Sequence, residues 1–143
     1  MAEDSTTRMR VDLSELKKEF KDAQRQIQLV NSEFKAATAG MAKWADDADG
    51  VSAKIEQLNG VLAAENVKLQ SLEDQYKLVA QEQGENSRGA QELLIRINNQ
   101  KAAIERTEAA LTQYGNRLED LQSESEKAAT ASEQLQSKIS DQQ

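Results

Sequence analysis

LSELKKEFKDAQRQIQLVNSEF, residues 13–34, sets the reading of the whole chain. Apolar side chains return in it at alternating steps of three and four: Leu13, Leu16, Phe20, Ala23, Ile27, Val30 and Phe34. On a helix that spacing draws one narrow stripe, and a stripe recurring about every 3.5 residues marks helices zipped along a seam. Counting on from Leu13 as position a gives Met41, Ala48, Ile55, Leu62, Leu69 and Tyr76 at a. The matching d positions are Ala37, Trp44, Val51, Leu58, Glu65, Leu72 and Val79. Of these 20 seam positions only Glu65 is not apolar, in a chain that is 38% hydrophobic overall, so the period is selected rather than accidental. The phase resumes with Ala90, Leu93, Ile97, Ile104, Leu111, Tyr114, Leu118 and Leu121, interrupted by Gln100 and Thr107 at d. The large side chains of this seam are the candidate coiled-coil or partner interface. Beyond Ser123 the seam thins, with Ser125 and Ser132 at a, before Leu135 and Ile139.

Composition agrees with rods rather than a globule. Leu, Ile, Val and Phe make up only 28 of 143 residues, near the lower edge of what an ordinary packed core requires. Ala, Gln, Glu, Lys and Leu dominate, and proline is absent, which favours helix over disorder. With neither Cys nor His there is no disulfide framework, zinc finger, haem ligation, Cys–His nucleophile or imidazole acid–base pair from this chain, and no cofactor is expected. No apolar run of about 18 residues exists for a membrane span, and the polar start lacks the regions of a signal peptide. A soluble protein made in a cytoplasm is the expectation, with no membrane contact from this segment.

Local signals divide the chain. Asp12 followed by Glu15 fits a capping box, so the first coiled-coil helix is expected over 12–44, preceded by a disordered arm over 1–11. Asp46, Asp47, Asp49 and Gly50 mark a bend, with Asp49 or Ser52 capping a second helix. The strongest break is Gln83–Gly89, where Asn86 or Ser87 caps the next helix. A helical hairpin within 51–122, with arms 52–82 and 88–121, would turn near Gly84–Gly89; the alternative is one continuous coiled coil, about 200 Å long at about 1.5 Å per residue. Residues 123–143 read as weak helix or a frayed tail leading to an absent C-terminal part. The fold class is all-α: an elongated coiled coil with that hairpin.

Few residues suggest chemistry. The Asp46–Gly50 cluster lacks the ligand spacing and terminal bidentate Glu of a calcium loop, and a capped helix junction explains it better. Glu65 at d reads as a locally splayed seam, or else as a device that fixes register or oligomer number. Along the sequence, bases alternate with acids, as in Lys17-Lys18-Glu19, no face collects an excess, and the formal charge is −7, so no specific nucleic-acid binding is expected. No phosphate loop or paired-carboxylate cleft is visible, and enzyme activity is not expected.

A resemblance adds what periodicity does not supply. The stretches Leu13–Gln24 and Asn31–Met41, then Trp44 with Ala48–Gly50, Ala53–Asn59, Leu72–Tyr76, Gln81–Ser87, Gly89–Leu93 and Ile97–Ile104, resemble in order the start of a phage tail tape measure protein. The likeness covers about Val11 to Leu121. It implies a mostly helical virion component of the tail lumen, present in the host cytoplasm during assembly, that acts in tail assembly and tail-length determination and leaves at genome ejection. It also implies contacts with the tail tube and tail-assembly chaperones, and self-association in several copies, three being one number it suggests. Such proteins run to many hundreds of residues, so this chain would be the amino-terminal part. The a and d residues leave strand number and orientation open. A stand-alone coiled-coil adaptor or scaffold, or a chaperone-docking head rather than a ruler, are the competing expectations.

Overall fold

The computed structural model describes the backbone of residues 2–141 and the side chains of residues 7–139. Helix α1 spans Ala2–Thr38, a short 3-10 turn spans Trp44–Asp46, α2 spans Ala48–Gln83 and α3 spans Arg88–Asp141; there is no strand among the described residues. The chain is all-α. It reverses twice, so α2 lies antiparallel to both neighbours and packs along both of them.

Each boundary has a local cause. The α2 start is capped by Asp47, whose carboxylate accepts the Asp49 backbone N–H at 2.8 Å while its carbonyl accepts from Val51. Gly84 ends α2 with φ +96°, a value that glycine adopts without steric cost, and its N–H closes on the Ala80 carbonyl. Ser87 then caps α3, its hydroxyl accepting the Ala90 N–H at 3.2 Å. The turn at 84–87 excludes the single continuous rod and establishes the hairpin.

Four boundaries differ from expectation, the start of α2 among them: it begins at Ala48 rather than Ser52, capped by Asp47 rather than by Asp49 or Ser52. Residues 2–11, expected as part of a disordered arm, are helical: α1 already begins at Ala2, and Asp12 and Glu15 sit inside it. No Gly or Pro interrupts residues 2–39. The first helix stops at Thr38, short of Trp44, because the chain must turn back there onto α2. At the other end the helix runs unbroken to Asp141, carried by helix-forming residues alone: side chains 122–139 are all exposed, Leu135 at 60% and Ile139 at 53%.

The reversal between α1 and α2 is the larger surprise. The seam of α1 finds its partner in α2 of the same chain. Ser71 donates its hydroxyl proton to the Leu16 carbonyl, and Gln57 donates to Asn31 at 2.7 Å, which fixes the antiparallel register. On α2 this uses a second stripe, in which Ala64 is 6%, Ser71 1% and Gln75 2% exposed, beside the a/d seam that faces α3. The central cluster is Leu72, Val79, Ala90, Leu93 and Ile97, and Leu13 and Phe20 of α1 pack against it with Leu69, Tyr76 and Ala80. All three helices therefore share one core.

The bend between α1 and α2 is tight. Trp44 lies across the first turn of α2, and a Cβ at Gly50 would sit 2.3 Å from the Trp44 carbonyl oxygen and 2.8 Å from its Cβ. Gly50→Ala should therefore lower stability by about 1–3 kcal/mol, as overpacking does. Gly115→Ala, where a Cβ meets nothing within 4 Å, should raise it by about 0.5–1 kcal/mol through helix propensity. Thermal unfolding followed by circular dichroism reads both; equal effects at the two sites would contradict the close approach.

Candidate functional site

The structure brings the predicted seam residues together but spends them inside one chain. Leu58, Leu72, Val79, Leu93, Ile97 and Ile104 are buried. Leu13, Leu16, Phe20, Ile27, Val30, Phe34, Met41, Trp44, Ile55, Leu62, Leu69, Tyr76, Leu111, Tyr114, Leu118 and Leu121 are half-buried, and none of the set is exposed.

At the bend the aromatics form a joint between all three helices. The Phe34 and Trp44 rings meet edge-on at 5.1 Å, and Trp44 lies 5.8 Å from Tyr114 of α3. The Lys54 ammonium stands 4.8 Å from the Phe34 centroid and 5.8 Å from that of Trp44, and burial lowers its pKa. Arg117 of α3 closes the joint, donating to the Ala45 carbonyl at 3.2 Å and to Asp46 at 2.9 Å. Two members of the aspartate cluster thus already have structural roles: Asp47 caps a helix and Asp46 pairs with Arg117.

The polar seam positions are the informative ones. Glu65, Gln100 and Thr107 come from two helices and form one buried group. Gln100 donates to the Glu65 carbonyl at 3.2 Å, and the Thr107 hydroxyl contacts Glu65 Oε1 at 2.5 Å. Thr107 Oγ1 also lies 3.1 Å from its own helix carbonyl, Ala103. One hydroxyl proton cannot serve both acceptors fully, and the shorter contact is the one to Glu65. Glu65 is 7% exposed, so the seam does not splay there. The seam closes because Glu65 offers two acceptors, its backbone carbonyl to Gln100 and its carboxylate to Thr107, at the two donor-bearing seam positions of α3. Sequence reasoning missed this pairing, and likewise the buried Ser71–Gln75 pair, bonded at 3.1 Å.

One turn along, the cations Lys68 and Arg96 both lie over the Phe20 ring of α1, at 5.0 and 4.9 Å from its centroid. Burial pushes the Lys68 pKa down; Glu65 opposes that shift and Arg96 adds to it. Among the described residues no group of three or more His, Cys, Asp or Glu side chains is placed to hold a metal ion, and no helix is long and apolar enough to cross a membrane. Comparison of the chain with family models, with curated proteins and with solved structures gives no match in any of the three.

Two stability measurements check this geometry. Thr107→Val leaves Glu65 Oε1 buried without its donor and should cost about 1–3 kcal/mol, whereas adding Glu65→Leu should recover most of that loss; a double variant no better than the single one would refute the pairing. For Lys68, a folded-state pKa below the ordinary 10.5 means that stability gained from this group grows as pH climbs through the depressed value towards 10.5. Lys68→Met should therefore unfold at a higher temperature than the parent near pH 7, and the difference should shrink in the alkaline range.

Proposed function

We propose that this chain is the amino-terminal part of a phage tail tape measure protein, acting in tail assembly within the virion. The observation that carries the reading is the ordered set of sequence words between Val11 and Leu121 that resembles such proteins. Long helices are the fitting material for the task. Backbone hydrogen bonds fix about 1.5 Å of rise per residue, which turns residue number into distance with little compliance.

Within that reading, the two reversals support a head rather than a measured span. Antiparallel α1 and α2 cancel each other's axial advance, and most of α3 runs back alongside α2. Only the stretch past Leu121 continues outward, about 30 Å of single helix. A compact bundle followed by an outgoing helix suits docking to the tail tube or to tail-assembly chaperones, with measurement carried by sequence farther on. The shared core of the three helices also fits a stand-alone helical adaptor.

Electron microscopy of tails tests the assignment. In the complete gene, removing residues 52–121 should reduce the number of tails without shortening them, whereas removing 70 residues from the downstream helical region should shorten tails by about 105 Å. Proportional shortening by the first deletion would make this stretch part of the ruler. Tails unchanged in number and length by either deletion would leave the adaptor reading instead.

A further inference from the structure

The charge of −7 hides a separation of charge along α1. At about 100° per residue, Arg10, Lys17, Lys18, Lys21, Arg25 and Lys35 fall within one sector about 100° wide. Asp12, Glu15, Glu19, Asp22 and Glu33 fall within another, about 80° wide, joined there by Arg8. The linear alternation of bases and acids resolves on the helix into two faces, contrary to the expectation that no face collects an excess. Arg10, Lys17, Lys18 and Lys21 line one open depression with Leu13 and Ser14, while Asp12, Glu15 and Glu19 line a different one against Asp74 and Lys77 of α2.

All six cations are exposed, and none forms an ion pair among the described residues. The other two helices add to the row: Lys68 and Arg96 converge on Phe20, which lies between Lys17 and Lys21 in sequence. A row of cations without counter-charges repels itself, and a polyanion laid along it removes that repulsion while releasing its own condensed counterions. The acidic flank reaches only one edge of the row: Lys18 has Glu15 and Asp22, and Arg25 has Asp22, three or four positions away, whereas Arg10, Lys17, Lys21 and Lys35 have no acid at that spacing.

We propose that this face of α1, extended by Lys68 and Arg96, binds the phosphate backbone of duplex nucleic acid without sequence preference. The row from Arg10 to Arg25 is about 22 Å long and narrow, matching one ridge of phosphates. A flat anionic membrane would also meet the acids that begin about 40° away. Every described aromatic ring is at least half-buried, so the face offers no platform for stacking single-stranded bases. The inference rests on the placement of these cations and not on the tape measure reading.

Fluorescence anisotropy of the whole chain with a labelled duplex of mixed sequence tests it. With about five phosphates neutralised, affinity should fall roughly 500-fold between 50 and 200 mM salt. Lys17→Glu/Lys21→Glu/Arg25→Glu should abolish binding at 50 mM. Lys77→Glu/Lys101→Glu/Lys138→Glu, with the same net charge, should keep it within about threefold. Circular dichroism should show both variants helical, and Lys17→Gln/Lys21→Gln/Arg25→Gln, gentler on the fold, should still weaken binding about tenfold or more. Absence of binding by the parent chain at 50 mM, equal losses in the two triple variants, or tighter binding to phosphatidylserine vesicles or polyglutamate than to duplex would each overturn the proposal.

Discussion

Everything in this fold derives from the demand that α2 bury two flanks at once. Its a/d stripe supplies the larger side chains to α3, and its second stripe offers Ala64, Ser71 and Gln75 to α1. The chemistry of the two flanks differs accordingly. Against α3 the contact is chiefly hydrophobic, centred on Leu72 and Val79 with Leu93 and Ile97. Against α1 the buried residues are smaller or polar, and the Ser71 hydroxyl reaches a backbone carbonyl of the neighbouring helix. A helix interior leaves its carbonyls already bonded, so this extra bond adds register rather than much energy.

Buried polarity does the sorting between registers. Hydrophobic stripes tolerate sliding by one heptad, because Leu meets Leu again. Glu65 against Gln100 and Thr107 does not tolerate it, since a shift strands a carboxylate among apolar side chains. Gln57 with Asn31 plays the same part between α1 and α2 in a more exposed setting. Three helices with repetitive seams thereby obtain a single alignment.

Much of this was legible in the sequence, for reasons that particular residues make plain. The period from Leu13 to Val79 and the Gln83–Gly89 break were visible because helical spacing and glycine chemistry are local properties. Which stripe meets which was not, because periodicity names a face but not its partner. Glu65, Gln100 and Thr107 each read as a flaw when taken singly; they are 35 and 42 positions apart, and only the hairpin turns three flaws into one bonded group. The second stripe of α2 left a fainter trace: Gln57, Gly60, Ala64, Ser71 and Gln75 are all uncharged at helical spacing in a charged chain. The divided faces of α1 were overlooked because neighbouring letters alternate in sign while their angular positions do not.

Both turns join helices that are consecutive in the chain, with nine and four residues between them. Each helix can therefore pair with the one just made, and closing such short loops costs little chain entropy. During synthesis α1 and α2 would zip before α3 has emerged, and α3 would close before a second nascent chain comes near. Pairing in chain order thus shortens the time for which the oily stripes stand open to neighbours on the same message.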